Sequence, residues 1–317
     1  MKLSTIHTKI VSLGLAIFCI ISFVFAQQTI NIKHSKGETL VPKNPKKVVI
    51  MDLSALETYH ELGIPVAGVP NTVPAYLGEY NDAKYDKVGT VVKADFKALE
   101  ALKPDLIITG GRQGKQYDSL AMIAPTIIFG SDANDFWSSF DYSVHTIAVL
   151  HGKEKLAEKK LAALHKKADL VKAKAQADPK KTVVAMHMNG RFNPSGPNSR
   201  FGFAYDVLGL KPAYIPATES AKPAATSQEG PRQQRTPAPK LAEINPDYLF
   251  IFDRNTGIQG IMPEESEIFL DDVKATEAYK NNKAFILPGW IWYLSGNGLI
   301  SVDQKISEIG EKLYGIK

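Results

Sequence analysis

Two stretches of this 317-residue chain repeat one another, and the repeat constrains the fold more than any other feature. Leu99-Glu100-Ala101-Leu102-Lys103-Pro104-Asp105-Leu106-Ile107-Ile108 matches Leu241-Ala242-Glu243-Ile244-Asn245-Pro246-Asp247-Tyr248-Leu249-Phe250 in pattern. In each, a helical pattern runs into Pro-Asp, which ends the helix, and an apolar run suited to a buried strand follows. A duplicated helix–strand unit predicts two α/β lobes, each layered around its own mostly parallel sheet.

The rest of the chain fits that plan. Apolar runs at residues 48–53, 66–69, 106–109 and 126–129 read as strands, alternating with helices near 55–62, 96–102, 116–123 and 136–150. Alternation resumes with strands at 182–188, 248–252 and 284–287 and helices near 202–208, 270–281 and 302–314. Between them, residues 154–177 form a Lys/Ala/Leu-rich helix ended by Asp178-Pro179, about 30 Å long, with its lysines on a solvated face. Residues 211–240 are rich in Pro, Ala, Ser, Thr and Gln and read as loop.

The N-terminus carries Lys2 and Lys9, then an apolar run closing on Val24-Phe25-Ala26, which predicts a signal peptide over residues 1–26. That run is short for a membrane span. Cys19, the single cysteine, lies inside it without the small residues a lipid-anchor signal wants, so the mature chain is expected to hold no thiol and no disulfide. A periplasmic, soluble protein follows. Loss of two lysines lowers the formal charge from +5 to +3, no signature of nucleic-acid binding. The expected division is an N-terminal lobe at 27–150, a linking helix at 151–178 and a C-terminal lobe at 179–317: two Rossmann-like lobes bridged by one long α-helix.

Three arginines stand at strand-to-loop junctions. Arg112 lies in Gly110-Gly111-Arg112-Gln113-Gly114-Lys115, and follows Pro104 by eight residues, as Arg254 follows Pro246 by eight. Equivalent strand ends are where open α/β sheets put their ligands. The glycine loop is no phosphate loop, because Gln116 follows Lys115 and Thr109 stands where the first glycine belongs. Arg200, in Gly196-Pro197-Asn198-Ser199-Arg200-Phe201-Gly202, is expected at a helix N-terminus, where the backbone favours anions. The run Trp290-Ile291-Trp292-Tyr293 before Ser295-Gly296-Asn297-Gly298 supplies aromatic faces suited to a flat, electron-rich ligand, with alternating buried strand residues as the plain alternative.

Pro104-Asp105-Leu106-Ile107-Ile108, Gly111-Arg112-Gln113, Ser199-Arg200-Phe201-Gly202 with Asp206-Val207-Leu208-Gly209, Asp253-Arg254-Asn255 and Ser295-Gly296-Asn297-Gly298 occur in that order. Together they resemble the periplasmic ferric-siderophore-binding proteins of ABC importers, above all those taking catecholates. The resemblance implies a shallow cleft between lobes that move little, Arg112, Arg200 and Arg254 binding catecholate oxygens, and delivery to a membrane permease. It also implies an iron-ligating His near Arg232 and a Tyr near Trp292, and the chain departs from both. No histidine follows His187, and Tyr293 is one residue away. The expected ligand is therefore a ferric siderophore whose iron is already six-coordinate, contacted by Arg112, Arg200, Arg254, Arg232, Trp292 and Tyr293, with Arg235 as a further candidate. The permease-docking glutamates of such proteins fall at Lys97 and Pro239, with Glu100 and Glu243 nearby.

No intrinsic cofactor, protein-bound metal or catalytic residue is expected, and a monomer is. The histidines lack metal-ligand spacing, and His187, at a strand end, reads as satisfied core. A haem- or cobalamin-binding protein of the same fold is the nearest rival. An enzyme acting on siderophores ranks lower, since no Gly-x-Ser-x-Gly elbow or metalloprotease helix is present.

Overall fold

A computed structural model describes residues 28–216 and 238–316; the expected signal peptide and Arg232 and Arg235 lie outside the described residues. The first sheet is fully parallel, in the order β5 (Asp86–Lys87), β4 (Gly68–Val69), β3 (Val48–Ile50), β6 (Leu106–Thr109) and β7 (Thr126–Ile128). The second runs β10 (Lys211–Pro212), β8 (Lys181–Met188), β11 (Tyr248–Asp253) and β12 (Ala284–Leu287), also parallel, with β9 (Arg191–Ser195) added antiparallel to β8. The path β4-β3-β6-β7 in one lobe matches β10-β8-β11-β12 in the other, so the sequence repeat is a topological repeat.

The paired Pro-Asp turns are built alike. Helix α2 (Phe96–Leu102) ends on left-handed Lys103, and α7 (Leu241–Ile244) on left-handed Asn245. The Asp that follows Pro then ties the new strand to its neighbour. Asp105 accepts from the main-chain N–H groups of Lys46 and Lys47, and Asp247 from that of Lys181. Each therefore fixes where its central strand, β6 or β11, enters the sheet.

Strand alternation sorts the core. Val48, Ile50, Val184, Phe250 and Phe252 face one cluster shared by both lobes, while Val49, Met51 and Ile107, and Val183, Leu249 and Ile251, face two separate outer clusters. The shared cluster also takes in buried residues of α4 (Phe136–His151), α5 (Glu154–Ala177) and α12 (Leu299–Tyr314). Helix α12 packs on both α5 and α1 (Leu53–Glu61), so the last helix closes the joint between lobes rather than belonging to the second alone. A continuous apolar core across that joint opposes wide opening.

Three local expectations change. Residues 29–42, polar in sequence and with no element expected there, form a hairpin, β1 (Thr29–His34) with β2 (Gly37–Pro42). The helix expected over 270–281 is two short ones, α10 (Asp271–Lys274) and α11 (Glu277–Lys280), because Thr276 interrupts it: its hydroxyl donates to the Val273 carbonyl and accepts from Tyr279 N–H. The aromatic run is neither strand nor α-helix but a π-helical turn, Trp290–Leu294. The remaining short helices are α3 (Tyr117–Ala121), α6 (Phe203–Asp206), α8 (Arg254–Gln259) and α9 (Glu265–Ile268).

Candidate anion-binding site

The three arginines named from sequence meet around one side chain, Tyr293. Arg112 and Arg200 each donate to its main-chain carbonyl at 2.9 Å, and Arg254 donates from Nε to its phenolic oxygen at 2.9 Å. Their guanidinium carbons lie 6.0, 4.9 and 5.4 Å from the ring centroid, so the ring is ringed by cations. Arg200 also lies 5.0 Å from the Phe201 ring and is held between two aromatic faces.

Each arginine is aimed by the chain around it. Arg112 sits in the 3-10 turn Gly111–Gln116 directly after β6. Its neighbour Gln113 is buried and saturated: Oε1 accepts from the Thr109 hydroxyl and Gly110 N–H, and Nε2 donates to the carbonyls of Met51 and Val91. With Gln113 pinned inward, Arg112 turns the other way, to Tyr293. Arg254 opens α8 directly after β11, behind Asp253, which caps the helix. Gly257 and Gly289 pack so closely that a Cβ on either would meet the other's backbone, which seats α8 against the turn carrying Tyr293.

Positive charge predominates at the site, although the buried Asp52 carboxylate, packed against Gly110, acts electrostatically on Arg112. None of the ion pairs among the described residues involves Arg112, Arg200 or Arg254. Partial burial, then the charges of Arg112 and Arg254, push the Arg200 guanidinium below its ordinary pKa, with Tyr293 opposing. Three like charges held together are a standing electrostatic cost, and an anion in their midst relieves it.

Arg112, Arg200, Arg254 and Tyr293 are thus brought together, and Trp292 is not. Only 3% of Trp292 is exposed, and its indole N–H donates to Glu308 at 2.7 Å inside the core. The two neighbours diverge around the π-helical turn: the Trp292 indole turns to Glu308 and the Tyr293 ring to Arg200 and Arg254. The place expected for Arg200 also changes: α6 is a single turn that begins three residues later, at Phe203, and Asn198 N–H is already taken by the Asp206 carboxylate. Aromatic stacking and the Tyr293 carbonyl hold Arg200 instead of a helix end. Arg232 lies outside the described residues. No grouping of three or more His, Cys, Asp or Glu able to hold a metal occurs among the described residues.

A buried network behind the site escaped the sequence. Glu57 of α1 accepts from the hydroxyls of Tyr76 and Ser295 and from Ser301 N–H at 2.8 Å, joining the first lobe to the Ser295–Gly298 segment. Burial raises its carboxyl pKa, and the bonds it accepts oppose that. Lys305, also buried, donates to the Gly296 carbonyl at 2.6 Å and lies 4.9 and 5.3 Å from the rings of Phe203 and Trp292. Burial lowers Lys305 to about 7, and burial raises Glu308 to about 7. Ser295-Gly296-Asn297-Gly298 is therefore the seam between lobes, two residues beyond Tyr293. A carboxylate inside the apolar run Leu53-Ser54-Ala55-Leu56-Glu57 was the available sequence signal.

Two α/β lobes of matching topology, a long helix between them in the chain and arginines from both lobes gathered on Tyr293 are the frame of a solute-binding protein. The chain belongs to the periplasmic binding protein family, whose model matches residues 48–289. Among its relatives, the petrobactin-binding protein YclQ of Bacillus subtilis is 38% identical over 90% of this chain and 89% of that protein. The ferric-anguibactin-binding protein FatB of Vibrio anguillarum is 32% identical over 88% of this chain and 85% of its own. The crystal structure of YclQ superposes with a TM-score of 0.80 at 35% identity, covering 90% of this chain and 99% of that one. That of the periplasmic catecholate-siderophore binding protein VctP of Vibrio cholerae gives 0.79 at 27% identity, covering 89% and 99%. Among the described residues, no helix is long and apolar enough to cross a membrane.

Proposed function

We propose that this protein captures an anionic ferric siderophore, of catecholate type, between its lobes and passes it to the permease of an ABC importer. The observation that carries this is the convergence of Arg112, Arg200 and Arg254 on Tyr293 without a carboxylate partner among the described residues. A ferric tris-catecholate is a trianion with oxygen acceptors and aromatic faces. Guanidinium answers both, with permanent charge, planar donors and a stacking surface. The Tyr293 carbonyl and phenol accept from donors that the ligand's oxygens would take over, and charge-assisted bonds are the stronger kind.

Iron arrives with its six positions filled by the siderophore; the absence of any histidine after His187 supports this. The protein works as a soluble periplasmic monomer after loss of residues 1–26, with lobes at 27–150 and 179–317. Glu100 and Glu243, both exposed beside the paired Pro-Asp turns, are the carboxylates available to a permease. The names of YclQ, FatB and VctP, which bind petrobactin, ferric anguibactin and catecholate siderophores, support the ligand class. Quenching of the tryptophans during titration with ferric catecholates, ferric hydroxamates, haem and cobalamin tests it. Selective binding of haem or cobalamin would overturn it.

A further inference from the structure

Arg254 is held from behind by two buried groups at the ends of β8 and β11. Strands β8 and β11 run parallel with His187 opposite Asp253 at their C-terminal ends. Both side chains are buried, and His187 Nδ1 lies 2.8 Å from Asp253 Oδ2. The other ring nitrogen, Nε2, accepts from Gly190 N–H at 3.2 Å, so the proton of the neutral ring sits on Nδ1 and is donated to Asp253.

Asp253 spends its second oxygen on α8. Oδ1 accepts from Thr256 N–H at 2.7 Å and from the Thr256 hydroxyl at 2.8 Å, capping the helix whose first residue is Arg254. Burial works to raise this carboxyl, but the Thr256 and His187 bonds outweigh it and hold it below its ordinary pKa. The hairpin turn that closes on His187 also supplies Asn189, left-handed at φ 52°, whose side-chain oxygen accepts from Asn255 at 2.7 Å. Asn255 in turn accepts from Arg254 Nη1 at 3.3 Å. The β8–β9 turn thus reaches Arg254 along two routes, one through Asp253 and one through Asn255.

We propose that His187 is a positioning residue for the anion site, holding Asp253 so that the first turn of α8 points the Arg254 guanidinium at Tyr293 and the ligand. It rests on the function proposed above only in naming the ligand. A guanidinium held in its binding geometry loses less freedom when the anion arrives, which is how a buried supporting residue alters affinity. Asp253 without the His187 proton keeps its cap on Thr256 but loses the bond that fixes its carboxylate plane.

The experiment compares wild type with His187→Leu and His187→Asn, each with and without Arg254→Ala. Asn carries an amide N–H where Nδ1 stands. One readout is the ¹H–¹⁵N signal of the Arg254 Nε–H in ligand-free protein, identified by its loss in Arg254→Ala. The other is the dissociation constant of the iron(III) complex of a synthetic hexadentate tris-catecholamide. His187→Leu should move the signal toward that of solvent-exposed arginines and weaken binding about tenfold, the loss of one charge-assisted bond's alignment. His187→Asn should keep both, and His187→Leu should cost nothing further in the Arg254→Ala background. An unmoved signal in His187→Leu, or a loss that adds in full to Arg254→Ala, overturns the proposal. Should wild type fail to bind the probe, the ligand assignment has failed, and the signal still decides the positioning role. Should His187→Leu not fold, His187→Gln replaces it, since its amide reaches the Nε2 place and not Nδ1; equal signals in Asn and Gln variants overturn the proposal.

Discussion

Gly298→Ala tests the seam that holds the lobes together. Gly298 opens α12, and a Cβ there would collide with the Ser54 carbonyl oxygen and with Oε2 and Cβ of Glu57. Neither neighbour yields cheaply: one is helix backbone, and the other already accepts from Tyr76, Ser295 and Ser301. Ser54 and Glu57 belong to α1 of the first lobe, so relief requires α12 to move off α1. Overpacking of this kind costs about 1–3 kcal/mol. Lifting Ser301 N–H from Glu57, now 2.8 Å away, forfeits part of a bond to a charged group worth about 1.5–3 kcal/mol. The expected loss is about 2–5 kcal/mol, read by urea unfolding as a lower midpoint at unchanged slope. Gly111→Ala is the control, because nothing lies within 4 Å of its added Cβ. A loss under about 1 kcal/mol, no larger than the control's, would refute the seam.

Other perturbations separate site from scaffold. Arg112→Ala and Arg254→Ala should each weaken ferric-catecholate binding by about 1.5–3 kcal/mol, roughly 10- to 150-fold, in the same fluorescence titration; wild-type affinity in both would remove the cleft model. Trp292→Phe strips the indole donor from Glu308 and should cost stability by about 1–3 kcal/mol while affinity stays within about twofold, seen by pairing unfolding with titration. Lys305 sets a pH dependence: its folded pKa of about 7 lies below the ordinary 10.5, so between those values the unfolded chain holds a proton the native state lacks. Stability should therefore climb from about pH 7 toward 10.5, with no contribution to the slope below 7, and Lys305→Met should flatten the climb by up to about 1.4 kcal/mol per pH unit. Parallel stability curves for the two proteins would contradict it.

The fold was legible where burial is two-sided and repeated. Leu106–Thr109 and Tyr248–Asp253 are continuous apolar runs launched by the same Pro-Asp turn, so central strands and duplication can be read directly. The hairpin β1–β2 and strand β9 were not legible, because their exposed polar positions dilute the alternation and their pairing is fixed by partners distant in space. At the site, Arg112, Arg200 and Arg254 were found because charge placed directly after a buried strand or at a glycine-bounded loop has few other uses. Trp292 was over-read: its indole is buried and committed to Glu308 of α12, a contact that the local sequence does not show. Glu57, His187 and Asp253 were missed or taken as core, since their roles exist only once distant strands and helices meet.

The most direct test of the central claim is the ionic-strength dependence of binding for two ferric complexes of different charge. With a trianionic tris-catecholate the dissociation constant should rise as salt is added, because the clustered arginines attract an anion through a field that salt screens, and only partly so where the guanidiniums are half-buried. A neutral ferric trihydroxamate should bind far more weakly and show little salt dependence. Preference for the neutral complex, or an affinity for the trianion that stays constant from low to high salt, would contradict an anion-binding cleft built on Arg112, Arg200 and Arg254.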